Sequence, residues 1–151
     1  MTLFNLILAV HILFGFGALL AGVLAMAVRK SRGLHTRLGE AYHWLYVGIA
    51  LTACALAALQ WERLWWFVPI AVGSYAFALL GYAMAKIRPK DWLKYHLIGQ
   101  GGSYIGIITA VLVVNLGIKV WVPWVLPTLV GTPLIIWISR EVQLGRRPKY
   151  D

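Results

Sequence analysis

The sequence predicts an all-α protein, a polytopic membrane protein folded as a compact bundle of five transmembrane helices. Three observations carry this prediction. First, 61% of the 151 residues are hydrophobic and 13% are charged, more apolar surface than a soluble domain of this size can hide. Second, five apolar runs are each long enough to cross a hydrocarbon core, which takes about 20 residues of helix. Third, the bases are confined to short segments between those runs. Period-2 alternation, the mark of a membrane barrel, is absent, so helices are the spanning elements.

The first span is expected over residues 3–28. Ala25-Met26-Ala27 imitates a signal-peptidase site. No positive segment precedes the apolar run, however, and the run is too long for a signal sequence, so it reads as an uncleaved span. The second span is expected over 41–60, the third over 65–85, the fourth over 97–118 and the fifth over 121–139. Very short turns join the second span to the third and the fourth to the fifth, which makes these pairs antiparallel neighbours. No linker, repeat or second domain interrupts residues 1–151.

The bases orient the bundle. Arg29, Lys30, Arg32 and Arg37 follow the first span. Lys86, Arg88, Lys90 and Lys94 follow the third, and Arg140, Arg146, Arg147 and Lys149 follow the fifth. All but Arg63 and Lys119 then lie on one side. The positive-inside rule places the N-terminus outside and the C-terminus in the cytoplasm. The net charge of +9 is therefore expected to face anionic lipid headgroups on the cytoplasmic side, and nucleic acid is excluded as a partner. Trp61, Trp65, Trp66, Trp121 and Trp124 mark the outer boundary. Trp44 and Trp92 mark the inner one.

The single cysteine, Cys54, sits inside an apolar run and rules out a disulfide framework or a paired-cysteine haem attachment. No HExxH, Walker loop, GxSxG or paired intramembrane carboxylate is present, so no reaction class follows. The chemistry left to consider is that of histidine. His11 shares a face of the first span with Gly15, Ala18 and Gly22, small residues that admit a neighbouring helix. A polar pocket in the outer half is expected from His11, Tyr75, Asn115 and Thr128, matched by depth. On the fourth span His96, Gln100 and Ser103 share a face with Tyr104 beside them. Gly99, Gly101, Gly102 and Gly106 thin that helix for close approach by another helix or by a flat cofactor. In the fifth span Pro133 is expected to kink the helix, with Thr128 and Thr132 taking up the freed acceptors.

The inner boundary gathers His35, His43 and His96 with Arg37, Glu40, Tyr42 and Asp91. Haem b would need two axial ligands, for which His43 and His96 are the best pair, with Gln100, Tyr104 and His11 as further cofactor contacts. A divalent metal such as zinc would take His35, His96 and Glu40, although the spacing matches no recognised zinc motif.

Several stretches carry a family likeness. HTRLGEAYHW follows the first span, and SYAFALLGYAMAKIRPKDW covers the third. HLIGQGGSYIGIITAVLVVN is followed by WVLPTLVGTPLIIW. The chain resembles, over nearly its whole length, the bacterial predicted membrane proteins grouped as domain-of-unknown-function family 2306. The matching positions include His11, His35, Arg37, Tyr42, Tyr75, His96, Tyr104, Asn115, Pro127 and Pro133. The resemblance implies a small multi-pass protein of the bacterial cytoplasmic (inner) membrane and brings no settled activity. Thr36 stands where relatives tend to have arginine, and Gly101 and Gly102 stand where a bulkier residue is expected. Both departures count against a shared inner-face metal site.

Three functions compete on these observations. The first is a ligand- or cofactor-binding membrane module using haem, quinone or a metal. The second is an accessory or assembly subunit whose glycine faces pack into a homo-oligomer or larger complex. The third is a small-solute transporter with a broken-helix site at Pro133.

Overall fold

The computed structural model describes residues 2–146, and Arg147 and Lys149 of the C-terminal basic group lie outside the described residues. Among these residues there are six helices and no strand. They are α1 (Leu3–Ala27), α2 (Leu34–Leu59), α3 (Trp61–Leu64), α4 (Phe67–Ile87), α5 (Trp92–Leu116) and α6 (Val122–Gln143). All but the short α3 are long and apolar enough to cross a membrane. The chain falls into two units, Met1–Ala76 and Phe77–Asp151, with the boundary inside α4. Each unit is described by itself.

In the first unit α1 lies antiparallel on α2. The contacts step in opposite directions along the two helices: His11 meets Thr52, Phe14 lies against Gly48, and Leu45 lies against Gly17. The seam works because its residues are small. Ala18 is fully buried, and Ala21 and Gly22 are buried beside it. Between lipid-facing helices hydrophobic burial supplies little, so close van der Waals contact at such a seam holds the pair. The expected approach at Gly15 is not used: a Cβ there would meet nothing within 4 Å. The tight glycine is Gly48, where a Cβ would sit 2.6 Å from the Phe14 ring.

Helix α2 begins at Leu34, well before its apolar run. The reason is local. Gly33 takes φ 117°, a conformation that side chains resist, and turns the chain directly into the helix. His35, Arg37 and Glu40 therefore lie on the first turns of α2 and not in a loop. The same applies to α5, whose first turn holds Trp92, Lys94 and Tyr95 ahead of the apolar stretch.

In the second unit α5 is gripped along two faces. A Cβ on Gly99 would lie 2.6 Å from Gly81 Cα and 2.7 Å from the Phe77 carbonyl oxygen, so the backbones of α4 and α5 touch. On another face a Cβ at Gly101 would strike Ile135 of α6, and one at Gly131 of α6 would strike Ile105. These glycines answer to neighbouring helices. Helix α6 runs unbroken through Pro127 and Pro133. Thr128 and Thr132 make no side-chain hydrogen bond among the described residues, so the expected capping of freed carbonyls does not occur.

At the turns between the long helices the tryptophans divide by role. Trp61, Trp65 and Trp121 are exposed. Trp66 Nε1 donates to Arg63 O at 3.1 Å, and Trp124 Nε1 donates to Ile118 O at 3.1 Å, each tying down its own turn. That is how an indole serves at an interface, with an apolar body and one donor.

Candidate functional site

His11 sits about two turns into α1, and its Nδ1 lies 2.8 Å from Thr52 Oγ1 on α2. The direction of this bond follows from the next one. Thr52 Oγ1 lies 2.6 Å from Gly48 O and 3.1 Å from Ile49 O, and a carbonyl oxygen only accepts. The single hydroxyl proton of Thr52 goes to the carbonyl. His11 Nδ1–H then donates to Thr52 Oγ1, and the Ile49 backbone is a further hydrogen-bond partner of the ring. Thr52 is the partner that depth-matching to Tyr75, Asn115 and Thr128 passes over.

The same tautomer recurs twice. His35 Nδ1 lies 2.9 Å from Ala25 O at the end of α1, and His96 Nδ1 lies 2.8 Å from Gly81 O on α4. Each partner is a carbonyl, so each Nδ1 carries the proton. Three of the four histidines are thus oriented by a bond from Nδ1 to a neighbouring helix. This is the arrangement that fixes an imidazole when Nε2 is used as a ligand or acceptor.

His35 shares its carbonyl with a lysine. Lys30 Nζ donates to Ala25 O at 2.7 Å, Met26 O at 2.5 Å and Val28 O at 3.1 Å. These are carbonyls at the end of α1, where helical partners run out and the dipole favours a cation. Partial burial nevertheless pushes the Lys30 ammonium below the ordinary lysine value. Arg32 and Arg37 stay exposed nearby, and Glu40 is half-buried on α2.

His43 belongs to a buried aromatic cluster. Tyr42, His43 and Tyr46 of α2 are all nearly inaccessible. The His43 ring lies 6.0 Å from the Tyr75 ring of α4 and 5.4 Å from Trp44, and the Tyr46 ring lies 6.3 Å from Tyr75. Tyr46 is hydrogen-bonded to Ser74, whose own hydroxyl donates back to Ile70 O at 2.7 Å. Tyr75 therefore sits with His43 and Tyr46, a grouping absent from the depth argument.

On α5, His96 and Gln100 both reach α4. Gln100 Nε2 donates to Ala78 O at 3.4 Å, one turn along from the His96 bond to Gly81 O. The two bonds flank the Gly81–Gly99 crossing and fix its register. Tyr104 is half-buried further along α5. Asn115 is exposed, and its Nδ2 turns back to Val111 O at 2.7 Å. Thr128 is exposed on α6. Asn115 and Thr128 belong to the second unit, while His11 and Tyr75 belong to the first. His35, Glu40 and His43 likewise lie in the first unit and His96 in the second. Among the described residues no group of three His, Cys, Asp or Glu side chains is placed to hold a metal ion.

Fold and site together define a class: an all-helical chain with five helices able to cross a membrane, and histidines oriented by bonds between helices. Comparison of the chain with family models, with curated proteins and with solved structures finds no match.

Proposed function

We propose that this chain is a multi-pass protein of the bacterial cytoplasmic membrane, related to domain-of-unknown-function family 2306, that binds a small ligand or cofactor through its histidines. The N-terminus is outside and the C-terminus cytoplasmic, with Arg32 and Arg37 facing anionic headgroups. One observation carries the binding reading. His11, His35 and His96 each set Nδ1 on an acceptor of another helix, the arrangement by which a protein orients an imidazole for use as a ligand.

Haem would use such an Nε2 as an axial ligand, and a quinol would use it as a hydrogen-bond acceptor. A divalent ion held wholly by protein needs three donors gathered together, and the described residues offer no such group. The glycines of α5 that an accessory subunit would turn toward a partner lie against α4 and α6. Helix α6, where a transporter would place a broken-helix site, is continuous at Pro133.

The test is a visible absorption spectrum, with metal analysis and mass spectrometry of extracted small molecules, on protein purified gently from its native membrane. A Soret band, or a stoichiometric lipid-soluble molecule, supports the reading. Single alanine substitutions at His11, His35 and His96 then show which imidazoles retain the ligand. Colourless protein that carries no small molecule refutes it.

A further inference from the structure

We propose that the turn between α4 and α5 holds the phosphate of one anionic phospholipid, with Arg88 as the binding residue and Lys90 and Lys94 beside it. The inference rests on the reading above that the chain lies in a membrane. It is independent of any ligand on the histidines.

Residues 86–95 carry Lys86, Arg88, Lys90 and Lys94 against a single acid, Asp91. Arg88, Lys90 and Lys94 are exposed. A run of bases is ordinarily a solvated face that attracts anions without fixing them. Arg88 is set apart by how it is held. Its guanidinium carbon lies 5.0 Å from the centre of the Trp92 ring, across the turn, and its Nε donates to Ala85 O at 3.4 Å. The Arg88 backbone takes φ 51°, which side chains resist, and Asp91 does the same at 61°. The Trp92 ring in turn lies 6.1 Å from the His96 ring, and His96 Nδ1 is bonded to Gly81 O at 2.8 Å. Guanidinium, indole and imidazole thus form a series of contacts that ends on the backbone of α4.

This construction suits a phosphate. A guanidinium over an aromatic face keeps in-plane N–H groups for an acceptor, and their fork matches two phosphate oxygens. Holding the side chain in advance lowers the cost of ordering it on binding. Lys94 Nζ lies 5.9 Å from the Tyr95 ring, so a second cation is kept beside an aromatic. The lipid, and not a free phosphate, is the better match. Trp92 and Tyr95 are the residue types that settle at headgroup level. Ile87, exposed next to Arg88, offers apolar surface to an acyl chain. The turn after α1 is built differently. Lys30 spends its ammonium on the carbonyls that end α1, and residues 28–37 include no Trp, Tyr or Phe on which Arg32 could rest.

The experiment uses the full-length protein in zwitterionic micelles at about 0.3 M salt, where diffuse attraction between exposed charges is largely screened. Bound lipids are counted by native mass spectrometry during titration with dioleoylphosphatidylglycerol or dioleoylphosphatidylcholine. The two share their chains, and only the second carries its own ammonium. The first phosphatidylglycerol is expected to bind about tenfold tighter than phosphatidylcholine, and Arg88→Gln should weaken it by about the same factor, the worth of one hydrogen bond between charged groups. Trp92→Leu keeps the net charge and should weaken it about threefold through the lost platform. Arg88→Lys also keeps the charge, changes only an exposed side chain, and should weaken it similarly. Arg32→Gln removes a charge elsewhere and should leave the affinity unchanged. Equal affinity for the two lipids overturns the proposal. Equal losses from Arg88→Gln and Arg32→Gln overturn it, as does full affinity in both charge-preserving variants, because each shows charge without a site. Displacement of the lipid by equimolar inorganic phosphate overturns it too, since the turn then serves a soluble anion. Recovery of the chain in the soluble fraction of cells refutes the membrane reading before any lipid is added. Absence of the lipid preference in protein extracted from membranes refutes this site alone.

Discussion

Gly99→Ala should destabilise the protein far more than its single added methyl suggests. The new Cβ would sit 2.6 Å from Gly81 Cα and 2.7 Å from Phe77 O. Ordinary carbon contacts need about 3.5–4.0 Å, so α4 and α5 must part by roughly 1 Å. Both obstacles are backbone atoms, and no rotamer change relieves them. Overpacking of this kind costs about 1–3 kcal/mol. Parting the helices also stretches the 2.8 Å bond from His96 Nδ1 to Gly81 O past useful length, for about another 1 kcal/mol. The expected loss is about 2–4 kcal/mol. Gly15→Ala is the matched control. It adds the same methyl to a helical glycine with nothing within 4 Å, and gains up to about 1 kcal/mol of helix propensity. The two variants are compared by reversible unfolding in mixed micelles, followed by tryptophan fluorescence. Equal midpoints would refute the claim that a backbone crossing sets the α4–α5 packing.

Three further outcomes follow from the hydrogen bonds. Thr52→Val removes the acceptor for His11 Nδ1–H and should cost about 1–3 kcal/mol, with the His11 nitrogen-15 spectrum losing its fixed tautomer. An unchanged spectrum would show that Thr52 does not set it. His96→Ala should cost about 0.5–1.5 kcal/mol in the same unfolding assay, and Gln100→Ala less, because its bond to Ala78 O is the longer one at 3.4 Å. Lys30→Met should cost about 0.5–1 kcal/mol through the lost carbonyl contacts at the end of α1, and hydrogen exchange should rise at the amides of that last turn.

Five long apolar helices were legible because a run of about 20 apolar residues has few other uses. Their starts were less so. Hydropathy marks where a helix enters apolar surroundings, and α2 and α5 begin earlier, on polar turns holding His35 and Lys94. The partner of His11 was within reach of sequence reasoning. Thr52 lies about two turns from the end of α2, as His11 lies about two turns from the start of α1, and antiparallel neighbours pair by such counting. What the sequence could not carry was direction. Whether an imidazole donates from Nδ1 depends on which carbonyl faces it, and Ala25 O and Gly81 O are chosen by packing. The glycines of α5 read correctly as sites of close approach, but only coordinates distinguish the backbone at Gly81 from the side chain at Ile135.

The α1–α2 pair is fastened at both ends by its own residues. His11 and Thr52 close it near the free end, and Lys30 and His35 close it on Ala25 O beside the turn. None of these fastenings involves anything beyond Leu59. A ribosome making the chain from its N-terminus completes this hairpin before any later span exists. Thr52, His11, His35 and Lys30 are therefore matched as soon as the pair forms, whereas His43 and Tyr46 of α2 wait for Tyr75 and Ser74 of α4.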